Sequence, residues 1–203
     1  MQVNRIDNIH QFDQLKTGWE TVYAADPHAH LFVSWMRLRG WFEITPYDWF
    51  VLAVRPDNES PYVAFLPLIM RAPQTYTFSP IRVLHMGGWP LAEYTGFICS
   101  PEYEKTALAA LALYIQQQLG WDSFQLEYFL DPRLDFFLEC FPQKGFNIQQ
   151  LDHIPCLSIP LPATWEQYSR DFMGKRKTLK RKMKQIERCD ELCITYSQED
   201  SAL

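Results

Sequence analysis

Two apolar runs, residues 49–55 (WFVLAVR) and 62–71 (YVAFLPLIMR), are separated only by PDNESP. An amphipathic helix would interleave polar residues every three or four positions, and these runs do not. They read as buried strands, and the short turn-rich connection between them predicts an antiparallel hairpin.

The remaining elements arrange themselves around that hairpin. Ile9, Phe12, Leu15, Trp19, Val22 and Tyr23 form a helical stripe, which predicts a helix over 8–25 capped by Asp7 or Asn8. Ser34 caps a second helix, WMRLRGWFEI, that ends by Pro46. Strands follow over 81–86, stopped by Gly87-Gly88, and over 94–99. Pro101 opens a long helix to Leu119, with Gly120 after it. Further strands are expected at 124–129, 146–151 and 156–161, with a short helix over 134–141 between the first two. Mixed ordering of this kind predicts an α/β fold whose sheet holds both parallel and antiparallel pairs. Thr164 then caps a new helix, TWEQYSRDF, and LCITY at 192–196 begins another strand.

Composition narrows the classes. A chain of 203 residues with 47% hydrophobic and 15% aromatic content can bury a large core, which excludes intrinsic disorder. No apolar run reaches the roughly 18 residues of a membrane span, and the N-terminus lacks the basic-then-apolar layout of a secretory signal, so a cytoplasmic protein is expected. The cysteines are odd in number and lie mostly in apolar surroundings, as reduced structural thiols do. Cys189 and Cys193 lack the further ligands of a zinc site.

Charge is unevenly placed. Lys175, Arg176, Lys177, Lys180, Arg181, Lys182, Lys184 and Arg188 face only Glu187, in a chain of formal net charge −5. Phe172, Leu179, Met183 and Ile186 fall on one stripe of the same segment, predicting a packed helix with a cationic back. Three readings stay open for it: a solvated face, a site for an anionic donor or glycan, or a sequence-independent nucleic-acid contact. A pI near 5.5 argues against a dedicated nucleic-acid binder.

The order of elements and four strings (LFVSWMRLRGWFE, VAFLPLIM, VLHMGGWPLAEYTGFI and WEQYSRDFMGKRKTLKRKMKQIE) resemble the GNAT acyltransferase superfamily. Within it the chain is similar to the CelD-like, FemAB-related branch, which carries two GNAT-type halves in tandem. The resemblance implies a GNAT-like mixed sheet flanked by helices over residues 1–162, and over 163–203 the incomplete start of a second GNAT-like domain. It also implies acyl transfer from a coenzyme A thioester, or from aminoacyl-tRNA in the Fem branch, to an amine or hydroxyl, with links to polysaccharide and cell-envelope chemistry. The implied partner is the second GNAT-like domain or another copy of the chain.

One departure weighs against donor binding in this half. The family's pyrophosphate loop, Q/R-x-x-G-x-G/A, is replaced here by FICSPEYEK. Pro101 removes a donor, and Glu102 and Glu104 would repel phosphate. This half is therefore expected to bind no coenzyme A, acyl-coenzyme A being implied for a complete enzyme. The resemblance then implies the N-terminal half of an N- or O-acyltransferase that shapes the acceptor cleft, or alternatively a non-catalytic binding or assembly module.

No Ser/His/Asp or Cys/His signature is present, and a direct acyl transfer needs none. Candidates for substrate binding are His85, Trp89, Glu93 and Tyr94, grouped around Gly87-Gly88, which read equally as a cleft or a plain strand-ending turn. His85 reads as a general base or a core histidine. Lys175, Arg176, Lys180 and Arg181 are the anion-binding candidates. His28 and His30 form an HxH near Asp26, but without a third ligand they read as solvated loop residues rather than a metal site. Asp122, Glu127 and Asp135 read as surface charges.

Overall fold

The computed structural model describes residues 1–72, 81–142, 144–152, 161–173 and 177–188, with the side chains of Met173, Lys177, Leu179 and Lys180 excepted. The chain divides into two compact units, Met1–His153 and Ile154–Leu203.

The first unit runs β1 (Gln2–Ile6), α1 (Ile9–Gln14), α2 (Lys16–Ala25), α3 (Trp35–Ile44), β2 (Asp48–Arg55), β3 (Ala64–Arg71), β4 (Val83–Met86), β5 (Ile98–Cys99), α4 (Glu104–Gln118), β6 (Ser123–Gln125) and α5 (Leu134–Glu139). Its strands form one sheet in the order β1-β2-β3-β4-β6, with β5 also paired to β3. All pairs are antiparallel except β4 with β6. The expected mixed α/β sheet flanked by helices is therefore present.

The β2–β3 hairpin is apolar throughout because both of its faces are covered. Phe50, Leu52, Val54, Leu66 and Leu68 point to one side, against Leu108, Leu111 and Ile115 of α4 and Phe137 of α5. Val51, Ala53, Phe65 and Ile69 point to the other, against Phe12, Trp19, Leu38 and Phe42 of the N-terminal helices. Asn8 accepts from Gln11 N at 2.9 Å and Ser34 from Arg37 N at 3.4 Å, so each caps its helix as expected. The helix over 8–25 is broken at Leu15, whose N–H bonds Phe12 O three residues back.

Several expected strands are shorter or absent. The run 94–99 keeps only β5 and an isolated bridge from Thr95 to Phe129. Two of its N–H groups are taken by side chains instead: Phe97 N donates to Asp131 and Cys99 N to Asp26. The run 124–129 stops at Gln125, and Tyr128 adopts φ 52°. Residues 146–151 form no strand: Phe146 packs against Trp121 and Phe141, but Ile148 and Leu151 are exposed. Of the strand expected at 156–161, only the exposed Leu161 lies among the described residues, and 192–196 lie outside them. Conversely β1 was not foreseen, because an edge strand with Asn4 and Arg5 in it lacks an apolar run.

In the second unit, Thr164 caps α6 (Trp165–Tyr168) by accepting from Gln167 N at 3.2 Å, and a π-helical turn over Ser169–Met173 follows. The cationic helix is α7 (Lys177–Glu187). The described members of its apolar stripe are less packed than expected. Ile186 is 53% and Phe172 41% exposed, and Met183 is half-buried. Phe172 stacks on Tyr168 and Tyr168 on Trp165, an aromatic ladder running along the start of this unit rather than into a core.

Candidate functional site

The sheet changes character at β4, which is antiparallel to β3 on one side and parallel to β6 on the other. Ligands of open, mostly parallel α/β sheets collect beyond the carboxyl ends of strands where the strand order reverses, and the carboxyl end of β4 is the place in this sheet most like it. Beyond β4 lies the Gly87-Gly88 turn. Gly87 N donates to Pro67 O at 2.8 Å, and a Cβ on Gly87 would fall 2.7 Å from Pro67 Cβ. Only glycine allows that approach. Gly88 takes φ 92°, and its carbonyl accepts from both Leu91 N and Ala92 N.

This tight turn lays Trp89 back over His85, the rings stacked at 4.4 Å between centroids. The Arg71 guanidinium sits 4.5 Å from the Trp89 centroid and 5.3 Å from that of Tyr47. His85 is 2% exposed, and its Nδ1 is buried without a hydrogen-bond partner among the described residues. Burial lowers its pKa; Glu127 opposes the shift and Arg71 reinforces it. A neutral imidazole with an unused nitrogen is the outcome, a group able to accept a proton from a substrate that reaches it. Gln125, the register partner of His85 on β6, is exposed, so the sheet is uncovered next to this pair.

The structure thus brings His85 and Trp89 together but sends the other two substrate-binding candidates elsewhere. Glu93 is exposed on the same loop. Tyr94 packs edge-on against His30 at 6.1 Å and Phe32 at 5.8 Å. Of the anion-binding candidates, Lys175 and Arg176 lie outside the described residues, as does the side chain of Lys180, while Arg181 is exposed.

His30 is not the solvated loop residue expected. Both its ring nitrogens are buried, and although the Thr95 backbone is near, neither makes a hydrogen bond of good geometry among the described residues. Burial lowers its pKa against the pull of Asp131 and Asp26. These two aspartates and Arg133 form a buried cluster that sequence reasoning missed. Arg133 Nη2 donates to Asp131 at 2.7 Å and to Asp26 at 3.1 Å. Burial opposes the charge of Asp131, yet its hydrogen bonds from Arg133 and from Phe97 N hold its pKa below the usual range. Arg133 is likewise desolvated, and its bonds to Asp131 keep it firmly protonated. Burial pushes the neighbouring Cys99 thiol up to about 12, which makes it inert. Two Asp-Pro pairs were the available signal. Asp26 accepts from His28 N and Asp131 from Arg133 N, both at 2.9 Å and both across an intervening proline. Among the described residues no group of three His, Cys, Asp or Glu side chains could hold a metal ion.

The junction between β5 and α4 does not suit a pyrophosphate. Pro101–Tyr103 form a 3-10 turn headed by a proline, Glu102 and Glu104 lie in the first turns, and no side chain caps either start.

No family model and no curated protein matches the sequence. The structure is similar to several solved acetyltransferases. One is an aminoglycoside acetyltransferase from an uncultured soil metagenomic sample, solved in complex with sisomicin (14% identity, 77% of this chain and 96% of that one, TM-score 0.41). Another is an aminoglycoside antibiotic 6'-N-acetyltransferase from Acinetobacter baumannii (14% identity, 79% and 100% covered, TM-score 0.43). A third is a ribosomal-protein-alanine N-acetyltransferase from Brucella melitensis biovar Abortus 2308 (9% identity, 77% and 100% covered, TM-score 0.42). Likeness at these identities extends to the course of the chain alone. No helix among the described residues is long and apolar enough to cross a membrane.

Proposed function

We propose that this chain is the N-terminal half of an acyl-coenzyme A-dependent N- or O-acyltransferase, and that it shapes the acceptor cleft rather than holding the donor. The observation that carries this reading is the stacked His85–Trp89 pair at the end of β4, beside the exposed Gln125. Acyl transfer needs a proton taken from an amine or hydroxyl as it attacks, and a neutral imidazole whose Nδ1 has no partner among the described residues is suited to take it. Trp89 supplies a half-buried aromatic face of the kind on which sugar rings and peptide groups pack, in keeping with a polysaccharide or cell-envelope acceptor. Acyl-coenzyme A would be held by the second GNAT-like domain, which the resemblance implies, or by another copy of the chain.

The β5–α4 junction favours a second reading, a non-catalytic binding or assembly module, because a proline-headed turn carrying Glu102 and Glu104 is poorly suited to a pyrophosphate. Two measurements test these readings, the second of which separates them. Calorimetric titration of this chain with coenzyme A is expected to give no heat of binding, and micromolar binding would overturn the assignment of the donor to another domain. In an assembly that turns over, His85→Gln is expected to lower kcat by about 10²- to 10⁴-fold. An unchanged kcat removes His85 as the base, and absence of any transfer leaves the module.

A further inference from the structure

We propose that Arg71, held between Tyr47 and Trp89 above the His85 strand, is a binding site for an oxyanion, a carboxylate or phosphate, carried by the acceptor. In assigning that anion to the acceptor it rests on the acyl-transfer reading; the binding step itself stands on geometry alone.

The guanidinium lies over two aromatic rings, 4.5 Å from one centroid and 5.3 Å from the other, and the rings are themselves 5.7 Å apart. A guanidinium packed against aromatic rings in this way can still turn in-plane N–H donors toward an oxyanion. Among the described residues no oxygen accepts from Arg71. Four other arginines of the unit have side-chain partners: Arg5 has Asp7, Arg39 has Asp13 and Glu43, Arg55 has Gln2 and Asn58, and Arg133 has Asp26 and Asp131, while Arg37 and Arg82 have none among the described residues and, unlike Arg71, are packed against no aromatic ring there. Arg71 is thus a half-buried cation packed against two rings, with no hydrogen-bond acceptor among the described residues. Its fork of donors matches two oxygens of a carboxylate or phosphate, and its packing against the rings lowers the entropy lost on binding.

The surroundings agree. Arg71 follows Ile69 on the strand face that also carries His85, because Ile69 pairs with His85 and Arg71 with Val83. Glu127 bears on His85 electrostatically but makes no ion pair with Arg71. An acceptor anchored by its anionic group at Arg71 would lie across Trp89 with its nucleophile toward His85 and Gln125.

The test uses ¹⁵N-labelled protein and follows the Arg71 Nε–H and Trp89 indole N–H resonances. Succinate and glycerol 3-phosphate serve as probes, with sodium chloride at matched ionic strength as the control. Saturable shifts at both resonances are expected for at least one probe at millimolar concentration, and the stronger probe identifies the oxyanion. Arg71→Gln is expected to weaken that binding tenfold or more, Arg71→Lys to give an intermediate loss because lysine lacks the fork, and Arg82→Gln to change nothing. Shifts no larger than those with chloride, or saturable binding that survives Arg71→Gln, would overturn the proposal. Arg71→Lys decides the matter if the glutamine variant loses its fold. Acyl transfer that proceeds without oxyanion binding refutes this site alone, whereas binding without transfer refutes the acyl-transfer reading alone.

Discussion

Arg133 Nη2 reaches 3.1 Å from Asp26 Oδ2, a residue 107 positions earlier in the chain. The contact closes the edge of a broken strand. Ser100 N bonds Val63 O across to the β3 side, so the alternating donors of Phe97 and Cys99 point the other way. Asp131 accepts the first at 3.1 Å and Asp26 the second at 2.9 Å. Two carboxylates stand where a neighbouring strand would supply carbonyls, and Arg133 neutralises their charge. Arg133→Met should therefore strand two buried anions and cost about 3–5 kcal/mol. Urea unfolding measures this, and Asp26→Asn, which keeps an acceptor for Cys99 N, should cost less. A midpoint that does not move in Arg133→Met would show that the carboxylates are stable without their counter-ion.

That cluster also marks where the sequence stops being readable. The β2–β3 hairpin was legible because a strand buried on both faces leaves an uninterrupted apolar run. The caps at Asn8, Ser34 and Thr164 were legible because capping is local. Asp131 and Arg133 were not, since buried charges pair through the fold and a single sequence shows only their polarity. His85 and Trp89 could be named from their place beside two glycines, but Arg71 could not. Its role depends on Tyr47 and Trp89, which lie far from it in sequence and close in space. The edge strand β1 was lost for a related reason: its stability comes from the ladder to β2, not from its own side chains.

Gly87 tests the turn that folds Trp89 over His85. A methyl group there would meet Pro67 Cβ at 2.7 Å and Pro67 backbone carbon at 3.2 Å, and a strand interior gives neither room to move. Gly87→Ala is expected to destabilise by about 1–3 kcal/mol and to disturb the His85–Trp89 stack. Thermal unfolding gives the first effect and the upfield ring-current shift of His85 the second. Normal stability with the shift intact would mean that the turn relaxes without loss.

Both His30 and His85 have folded pKa values below the ordinary 6.5, chiefly through burial. The unfolded chain therefore binds protons more readily than the folded one just below pH 6.5, so stability should rise with pH through that window and level off above it. Urea midpoints measured from pH 5 to 8 should fall on the acid side. His30→Gln and His85→Gln should each flatten the slope. Asp131 acts in the same direction at lower pH, since its depressed pKa gives stability that is lost as its carboxyl is protonated. Stability independent of pH between 5 and 7 would contradict the burial of the two imidazoles.

The cationic helix gives the last prediction. Arg181, Lys182 and Lys184 of α7 are exposed, and the stripe they share the helix with leaves Ile186 exposed as well. A charged face that binds a polyanion releases counter-ions in proportion to the contacts it makes, so its retention must depend steeply on salt. Replacing Arg181, Lys182 and Lys184 together by Gln should shift elution from heparin to lower salt and make the log–log salt dependence shallower by roughly two to three. Because these side chains pack against little, thermal stability should change by no more than about 0.5 kcal/mol. Unaltered retention would identify the face as merely hydrated, and would leave Arg71 as the anion site to examine in this chain.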